Sequence, residues 1–272
     1  MEDKIKNKLL KIVKDSYEEI ADDFSATRNY VWPELKKIIY NVIARRNPQR
    51  QPRVAKSFSD GASNPEVHGE DNEIAALARN DRINILDLGC GNGRLAELFT
   101  DSNVSYVGVE QSAKLANLAR QKLIELKMIG DIVTGDILNL VNLGFKTQTN
   151  VRFDLILCIA VLPHLPASEL RLKFLRQLKN NLAPDGVFIL TVWNLRARLK
   201  YKKMIWKHNF KKLFGLNKFD FGDIVFPGFK QSSPRYYHAF RKNELRSLLL
   251  QSGFKIHEFY ADKHNIYAVC GL

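Results

Sequence analysis

From residue 83 to the end of the chain, short apolar runs alternate with stretches whose apolar residues recur every three or four positions. The runs at 83–88, 104–110, 129–134, 153–161 and 187–192 read as strands, and most are apolar at nearly every position. Such strands are buried on both faces, the condition of a parallel sheet covered by helices on each side. Helical periodicity at 94–100, 113–126 and 168–182 supplies those covers. Near the end the pattern changes. A helix at 243–252 meets Gly253, which can adopt a left-handed cap, and runs at 254–260 and 265–270 flank the polar turn Ala261-Asp262-Lys263-His264. A turn that short joins antiparallel strands. The expected fold is α/β, a mostly parallel seven-stranded sheet with an antiparallel C-terminal hairpin.

Residues 1–44 read as a helical cap on the same domain. Ile5, Leu9, Ile12, Val13, Tyr17 and Ile20 form one apolar stripe. Leu35, Ile38, Ile39 and Val42 form another, opened by Pro33 in a first helical turn. Between the two helices, residues 24–30 read as a polar and aromatic connection. Residues 45–80 carry prolines, glycines and polar residues with little periodicity, and read as a flexible insertion with a short helix at 73–79. The core then runs over 81–272, with a basic helical insertion near 195–214.

Charge widens the question of partners. A formal net charge of +13 attracts polyanions, so nucleic acid or an anionic membrane surface is a candidate, beside the plainer alternative of solubility. Cys90, Cys158 and Cys270 form no C-x-x-C pair, which argues against a disulfide framework and against a thiolate zinc site, and no metal is expected. The first ten residues lack an apolar signal-peptide core, and no apolar run reaches the roughly 20 residues of a membrane span, so a cytoplasmic location is expected.

The chemistry concentrates in Asp87-Leu88-Gly89-Cys90-Gly91-Asn92-Gly93, a loop between the first predicted strand and a helix. Glycines there allow a sharp turn and a close approach to a ligand at the carboxyl edge of the sheet. A tight turn without a ligand is the plain alternative, but two further signals agree. Glu110 ends the second strand, where a carboxylate can accept from two ribose hydroxyls. Asp136 and Ile137 follow the third strand, where the carboxylate can accept from an adenine amino group and the apolar side chain can pack on the ring. The G-x-G-x-G spacing departs from the G-x-G-x-x-G that places a pyrophosphate on a helix N-terminus, and Asp87 would repel a phosphate. A nucleoside ligand carrying a cation suits the loop better than a dinucleotide.

With these residues in place, the sequence resembles the class I S-adenosylmethionine-dependent methyltransferases, whose fold is Rossmann-like. Within them it resembles the tRNA carboxymethyluridine methyltransferases, which methylate the carboxylate of a modified wobble uridine. Beyond the glycine loop, the resemblance rests on Tyr17-Glu18-Glu19-Ile20-Ala21, Phe24-Ser25-Ala26-Thr27-Arg28 and Trp32-Pro33. It continues in Ile159-Ala160-Val161-Leu162-Pro163-His164-Leu165, Val192-Trp193, and Tyr236-Tyr237-His238-Ala239-Phe240-Arg241 with Glu244-Leu245. Pro163 stands where that family has a histidine, and 262–267 only approximates the family's tail. The resemblance implies S-adenosylmethionine as cofactor, held by Asp87, Gly89, Cys90, Gly91, Gly93, Glu110, Gln111, Asp136, Ile137 and Ala160. It implies tRNA as a partner, and a small zinc-binding activator protein as a second candidate, since members of that family rely on one.

Methyl transfer to an ionised carboxylate needs alignment and a cation or hydrogen-bond donors to hold the acceptor. Arg28 and His164 are expected to do this as the catalytic pair, supported by Tyr17, Arg171 and Trp193. Residues 196–212 interleave Arg198, Lys200, Lys202, Lys203, Lys207 and Lys211 with Tyr201, Met204, Ile205, Trp206 and Phe210. Lysines such as Lys202 and Lys203 suit phosphates, and aromatics can stack on splayed bases. A solvated helix or a helix lying on a membrane has the same composition. Two other functions stay open on the sequence: a small-molecule methyltransferase, and a non-catalytic RNA-binding partner that retains the fold.

Overall fold

The structure is a computed structural model and describes residues 1–28, 30–46, 82–100, 103–142, 152–227 and 233–272. Three helices come first: α1 (Asp3–Glu19), α2 (Ala21–Thr27) and α3 (Pro33–Arg46). The expected polar connection at 24–30 is therefore largely the helix α2, whose side chains serve the cavity described below. The insertion expected at 45–80 lies, beyond Arg46, outside the described residues, as does its short helix at 73–79.

The core contains β1 (Ile83–Leu88), β2 (Val104–Glu110), α4 (Ala113–Glu125), β3 (Gly130–Thr134), β4 (Phe153–Ile159), α5 (Ser168–Asn181) and β5 (Leu182–Trp193). After these come α6 (Leu199–Leu213), β6 (Asp223–Phe226), β7 (Arg235–His238), α7 (Lys242–Gln251), β8 (Lys255–Ala261) and β9 (Asn265–Gly271). The main sheet has the order β3-β2-β1-β4-β5-β9-β8. β1 to β5 run parallel, and β9 inserts antiparallel between β5 and β8. The segment expected as a helix at 94–100 winds more tightly, as a 3-10 helix over Arg94–Phe99.

Strand periodicity sorts the core into two layers. Leu86, Leu88, Ile156 and Cys158 face α5 and α7, whereas Ile85, Leu155 and Leu157 face α3 and α4. Wholly buried side chains such as Phe174 and Phe188 contribute roughly 1.5–3 kcal/mol each. The predicted N-terminal cap thus divides: α3 belongs to a sheet-covering layer, and only α1 and α2 lie over the edge where the site forms.

A third apolar cluster joins Leu195, Ile205, Ile224, Tyr237 and Ala239, with Trp193, Tyr201, Met204 and Phe226 packed against it. It ties α6 to the two-stranded antiparallel sheet β6–β7, which the hydrophobic pattern did not announce. A signal existed in Arg235-Tyr236-Tyr237-His238. Tyr236 and His238 turn to the buried Asp223, at 2.8 and 2.7 Å, while Arg235 and Tyr237 face the other way, towards a cleft.

Candidate active site

Strand order reverses between β1 and β4, because β1 crosses over to β2 on one side and β4 to β5 on the other. The loops at their carboxyl ends diverge and leave a crevice, the usual ligand position in an open α/β sheet. A cavity of about 1,090 Å³, including its open mouth, occupies this crevice. Its floor is the glycine loop, Glu110 to Ser112, Asp136 and Ile137, and the segment from Ile159 to Val161. Its roof is Leu10, Val13, Lys14 and Tyr17 of α1, with Phe24 of α2 and Arg28 just beyond it.

Only glycine suits two turns of the floor. Gly89 has φ +65°, and a Cβ there would lie 2.5 Å from Val161 Cγ2; Gly93 has φ +78° with the Ala119 backbone 3.0 Å from a Cβ. Ala160 also holds φ +60°, which costs an L-residue about 1–2 kcal/mol. The Ala160 N–H donates to the Thr191 carbonyl at 2.9 Å, so β5 holds this strained turn at the cavity wall.

Glu110 is buried at the tip of β2. Its two oxygens accept the Gly91 and Ser112 N–H groups at 2.9 Å each, and these bonds position the carboxylate against the cavity. Burial nevertheless raises its pKa. Asp136 accepts the Leu138 N–H at 2.9 Å, which fixes its turn, and lines the cavity beside Ile137.

At the roof, the Nδ1–H of His164 donates to the Tyr236 carbonyl at 3.3 Å, so its Nε2 accepts the Tyr17 hydroxyl at 2.9 Å. The ring also meets Tyr237, with centroids 4.7 Å apart, and Trp193 at 5.9 Å. Burial pushes its pKa down to about 4, so the imidazole is neutral at pH 7. A neutral ring with both nitrogens engaged gives an acceptor no cation. Cationic holding falls to arginines. Arg28 lies over Phe24 at 5.6 Å, and Arg94 over Trp32 at 5.4 Å.

A second cleft adjoins the first and shares Arg28, Trp32 and Trp193 with it. Its cations are Arg28, Arg198 and Arg235, and its aromatic walls include Tyr30, Tyr201, Phe226 and Tyr237. The two carboxylates in its lining do not neutralise these arginines. Glu34 accepts the Tyr260 hydroxyl at 2.7 Å, and Asp262 accepts the His264 and Asn265 N–H groups at 2.6 Å and the Tyr267 hydroxyl at 3.1 Å.

Several expected residues stand elsewhere. Asp87 does not line the cavity: it is 1% exposed, accepts the Tyr106 hydroxyl at 2.5 Å, and burial pushes its pKa up to about 7. It therefore braces the loop from behind and does not face a cofactor's cationic end. Gly93 turns to α4. Arg171 is 2% exposed, donates to the Leu165 carbonyl at 2.9 Å and sits over Phe240, so it supports the His164 turn from beneath and cannot reach a substrate. Lys202 and Lys203 are exposed on α6 and line neither cleft. Phe24, Trp32 and Asn92 stand in the sequence motifs without an assigned role, and Arg94 and Arg235 were not singled out, yet all five line the two hollows. Arg94, directly after the glycine loop, carried a readable signal; Arg235 carried only its place at the head of the Tyr236-Tyr237-His238 segment.

The chain matches the family described as "Methyltransferase domain" over residues 70–258. It belongs to that family. A putative methyltransferase of Encephalitozoon cuniculi is 28% identical over 185 residues, 68% of this chain and 76% of that protein. The tRNA (carboxymethyluridine(34)-5-O)-methyltransferase of Schizosaccharomyces pombe is 25% identical across 94% of each chain. Among solved structures, a SAM-dependent methyltransferase from Methanosarcina mazei superposes with TM-score 0.58, 18% identity, and coverage of 73% of this chain and 96% of its own. The DhpI–SAH complex reaches TM-score 0.57 at 14% identity over 96% of each chain, and these likenesses show the fold.

S-adenosylmethionine, the cofactor of this methyltransferase fold, fits the residues present. Glu110 at the strand tip suits a ribose diol, and Asp136 with Ile137 and Leu115 suits an adenine. Arg28 and Arg94 offer cations to an amino-acid carboxylate, and Val161 and Leu165 would give the sulfonium end an apolar wall. No helix among the described residues is long and apolar enough to cross a membrane.

Proposed function

We propose that this methyltransferase acts on tRNA, at the carboxylate of a 5-carboxymethyl group on a wobble uridine. The observation that carries the reading is the second cleft, where three arginines and a set of aromatic walls adjoin the cofactor cavity and share Arg28, Trp32 and Trp193 with it. Aromatic faces can take a splayed base, and arginines can take its anionic groups. The net charge of +13 and the similarity to the fission-yeast tRNA enzyme across 94% of each chain support the same substrate.

Bound S-adenosylmethionine supplies an electrophilic methyl group on sulfur. An ionised carboxylate attacks such a carbon without losing a proton, so the protein needs no general base. The site agrees, because His164 has both nitrogens engaged and Tyr17 keeps its proton under burial. What the residues do is align and dry the junction. Trp193, Tyr17 and His164 wall it, and Arg28 keeps a cation at its mouth. With no base at the acceptor, transfer should show no rising limb from acceptor deprotonation between about pH 6 and 8, whereas a hydroxyl acceptor would show one. A limb that Asp87→Asn removes reports the loop brace and not the acceptor.

The test is transfer of labelled methyl from S-adenosylmethionine to bulk tRNA, followed by nucleoside mass spectrometry. The expected product is an ester of a carboxymethylated uridine that mild alkali hydrolyses. Label that enters no RNA but appears in small acids or lipids would overturn the RNA reading.

A further inference from the structure

On the reading of the acceptor as a carboxylate, we infer that Arg235 is the residue that grips it, and that Arg28 sits on the cofactor side of the junction. Four observations lead there. Arg235 opens β7, and strand alternation sends it with Tyr237 into the second cleft while Tyr236 and His238 turn away to Asp223. The Arg235 Nε is buried and has no hydrogen-bond partner, a condition seldom left unsatisfied in a finished site.

The other two arginines are already engaged. Arg198 meets His264 Nδ1 at 2.7 Å, while Arg28 donates to Thr27 at 3.2 Å and lies over Phe24 beside the glycine loop. Finally, the Arg235 charge is felt at Tyr17, His164 and Tyr237, the rings that stand between the two hollows. No ion pair holds Arg235 among the described residues; its guanidinium meets the Tyr237 side chain, its Nε keeps a donor to spare, and its charge is uncompensated at the cleft. A guanidinium offers a planar fork that a carboxylate matches with two parallel hydrogen bonds.

A methyl ester keeps the shape of this acceptor and loses its charge. That difference separates gripping from scaffolding. Two RNA anticodon stem-loops are used as probes, one bearing 5-carboxymethyluridine and one bearing its methyl ester, each titrated with the full chain and S-adenosylhomocysteine. Wild type is expected to prefer the acid. Arg235→Gln should lose at least about tenfold in affinity for the acid while the ester changes less than about twofold, and Arg235→Lys should fall between. Affinity for S-adenosylhomocysteine, measured by calorimetry, should be unchanged in both variants, which also shows that they fold.

Equal loss of acid and ester, or loss of neither, would overturn the grip and leave the RNA reading standing. Wild type that binds neither stem-loop would overturn the RNA reading and the grip together. A loss for the acid that appears only in Arg28→Gln would return the role to Arg28.

Discussion

The floor and the roof of the reaction chamber are built in opposite ways. The floor comes from segments that each end a strand of one sheet: Gly89 to Asn92 after β1, Glu110 to Ser112 after β2, Asp136 and Ile137 after β3, and Ala160 after β4. Each is held by its own short turn or by the adjoining strand of the same sheet, as Glu110 is by the Ser112 N–H two residues on and by the Gly91 N–H of the loop after β1. The roof and the second cleft bring together α1, the turn after α2, the His164 turn and β7. Their contacts span the chain: Tyr17 reaches His164, 147 residues away, and Tyr260 reaches Glu34, 226 away. A floor made of adjacent strand ends serves a ligand common to many enzymes, whereas the substrate-facing side is assembled from separate elements that can change independently.

Breaking the floor should produce the largest effect. Glu110→Ala removes the carboxylate proposed to accept from the ribose and leaves the Gly91 and Ser112 N–H groups without their buried partner, at about 1–3 kcal/mol each. Affinity for S-adenosylmethionine should fall by roughly 100-fold or more in calorimetry. A change below about threefold would mean that Glu110 does not carry the ribose end.

The two ends should also respond to pH in opposite directions. Asp87 is raised to about 7 in the folded protein, so between the ordinary carboxylate value of 3.8 and 7 the folded chain holds a proton that the unfolded chain has lost. Its contribution is present at low pH and disappears as pH rises through 7. His164 is lowered from 6.5 to about 4, so its contribution is present above 6.5 and disappears as pH falls towards 4. At about 1.4 kcal/mol per pKa unit, each amounts to a few kcal/mol at most. In denaturant titrations from pH 4 to 8, Asp87→Asn should reduce the loss of stability on the alkaline side, and His164→Gln that on the acid side. A wild-type profile unchanged by either variant would show that neither group carries the linkage.

Tyr17→Phe sharpens the contrast more gently. It deprives the buried His164 Nε2 of its donor without touching the floor, so the methyl-transfer rate should fall about tenfold while S-adenosylmethionine affinity stays within about threefold. Loss of cofactor affinity of the same size would mean that floor and roof act as one unit. The smallest effect is expected outside both clefts. Replacing Lys202 and Lys203 together by Gln should weaken tRNA binding only a few-fold and lower the salt slope by about 2, if these exposed lysines meet phosphates.

The same contrast explains what was legible in the residue order. The strands of the parallel sheet announced themselves because burial on both faces demands continuous apolar runs, and most of the expected bounds match to within one or two residues. The small sheet β6–β7 escaped notice, since four-residue strands holding Asp223, Arg235 and His238 show no such run. Asp87 was read as facing the cofactor because its place beside the glycines is visible, but the direction of its side chain depends on Tyr106 across the β1–β2 pair. Arg171 is expected from the sequence to support Arg28 and His164 at the acceptor, and only its position under Leu165 and Phe240 shows it buried.

By itself, the sequence determined the layers of the fold, the edge of the sheet that carries the site, and the floor residues Gly89, Gly91, Glu110, Asp136 and Ile137. These depend on periodicity and on turns only a few residues long, which short-range sterics and hydrogen bonding decide. Tertiary structure alone decided that His164 is neutral and held by Tyr17 and Tyr236, that Asp87 stands behind the loop, and that Arg28, Arg198 and Arg235 meet in one cleft. The reason is physical. Burial and long-range neighbours set a side chain's charge and direction, and neither is a property of the residues adjacent to it in the chain.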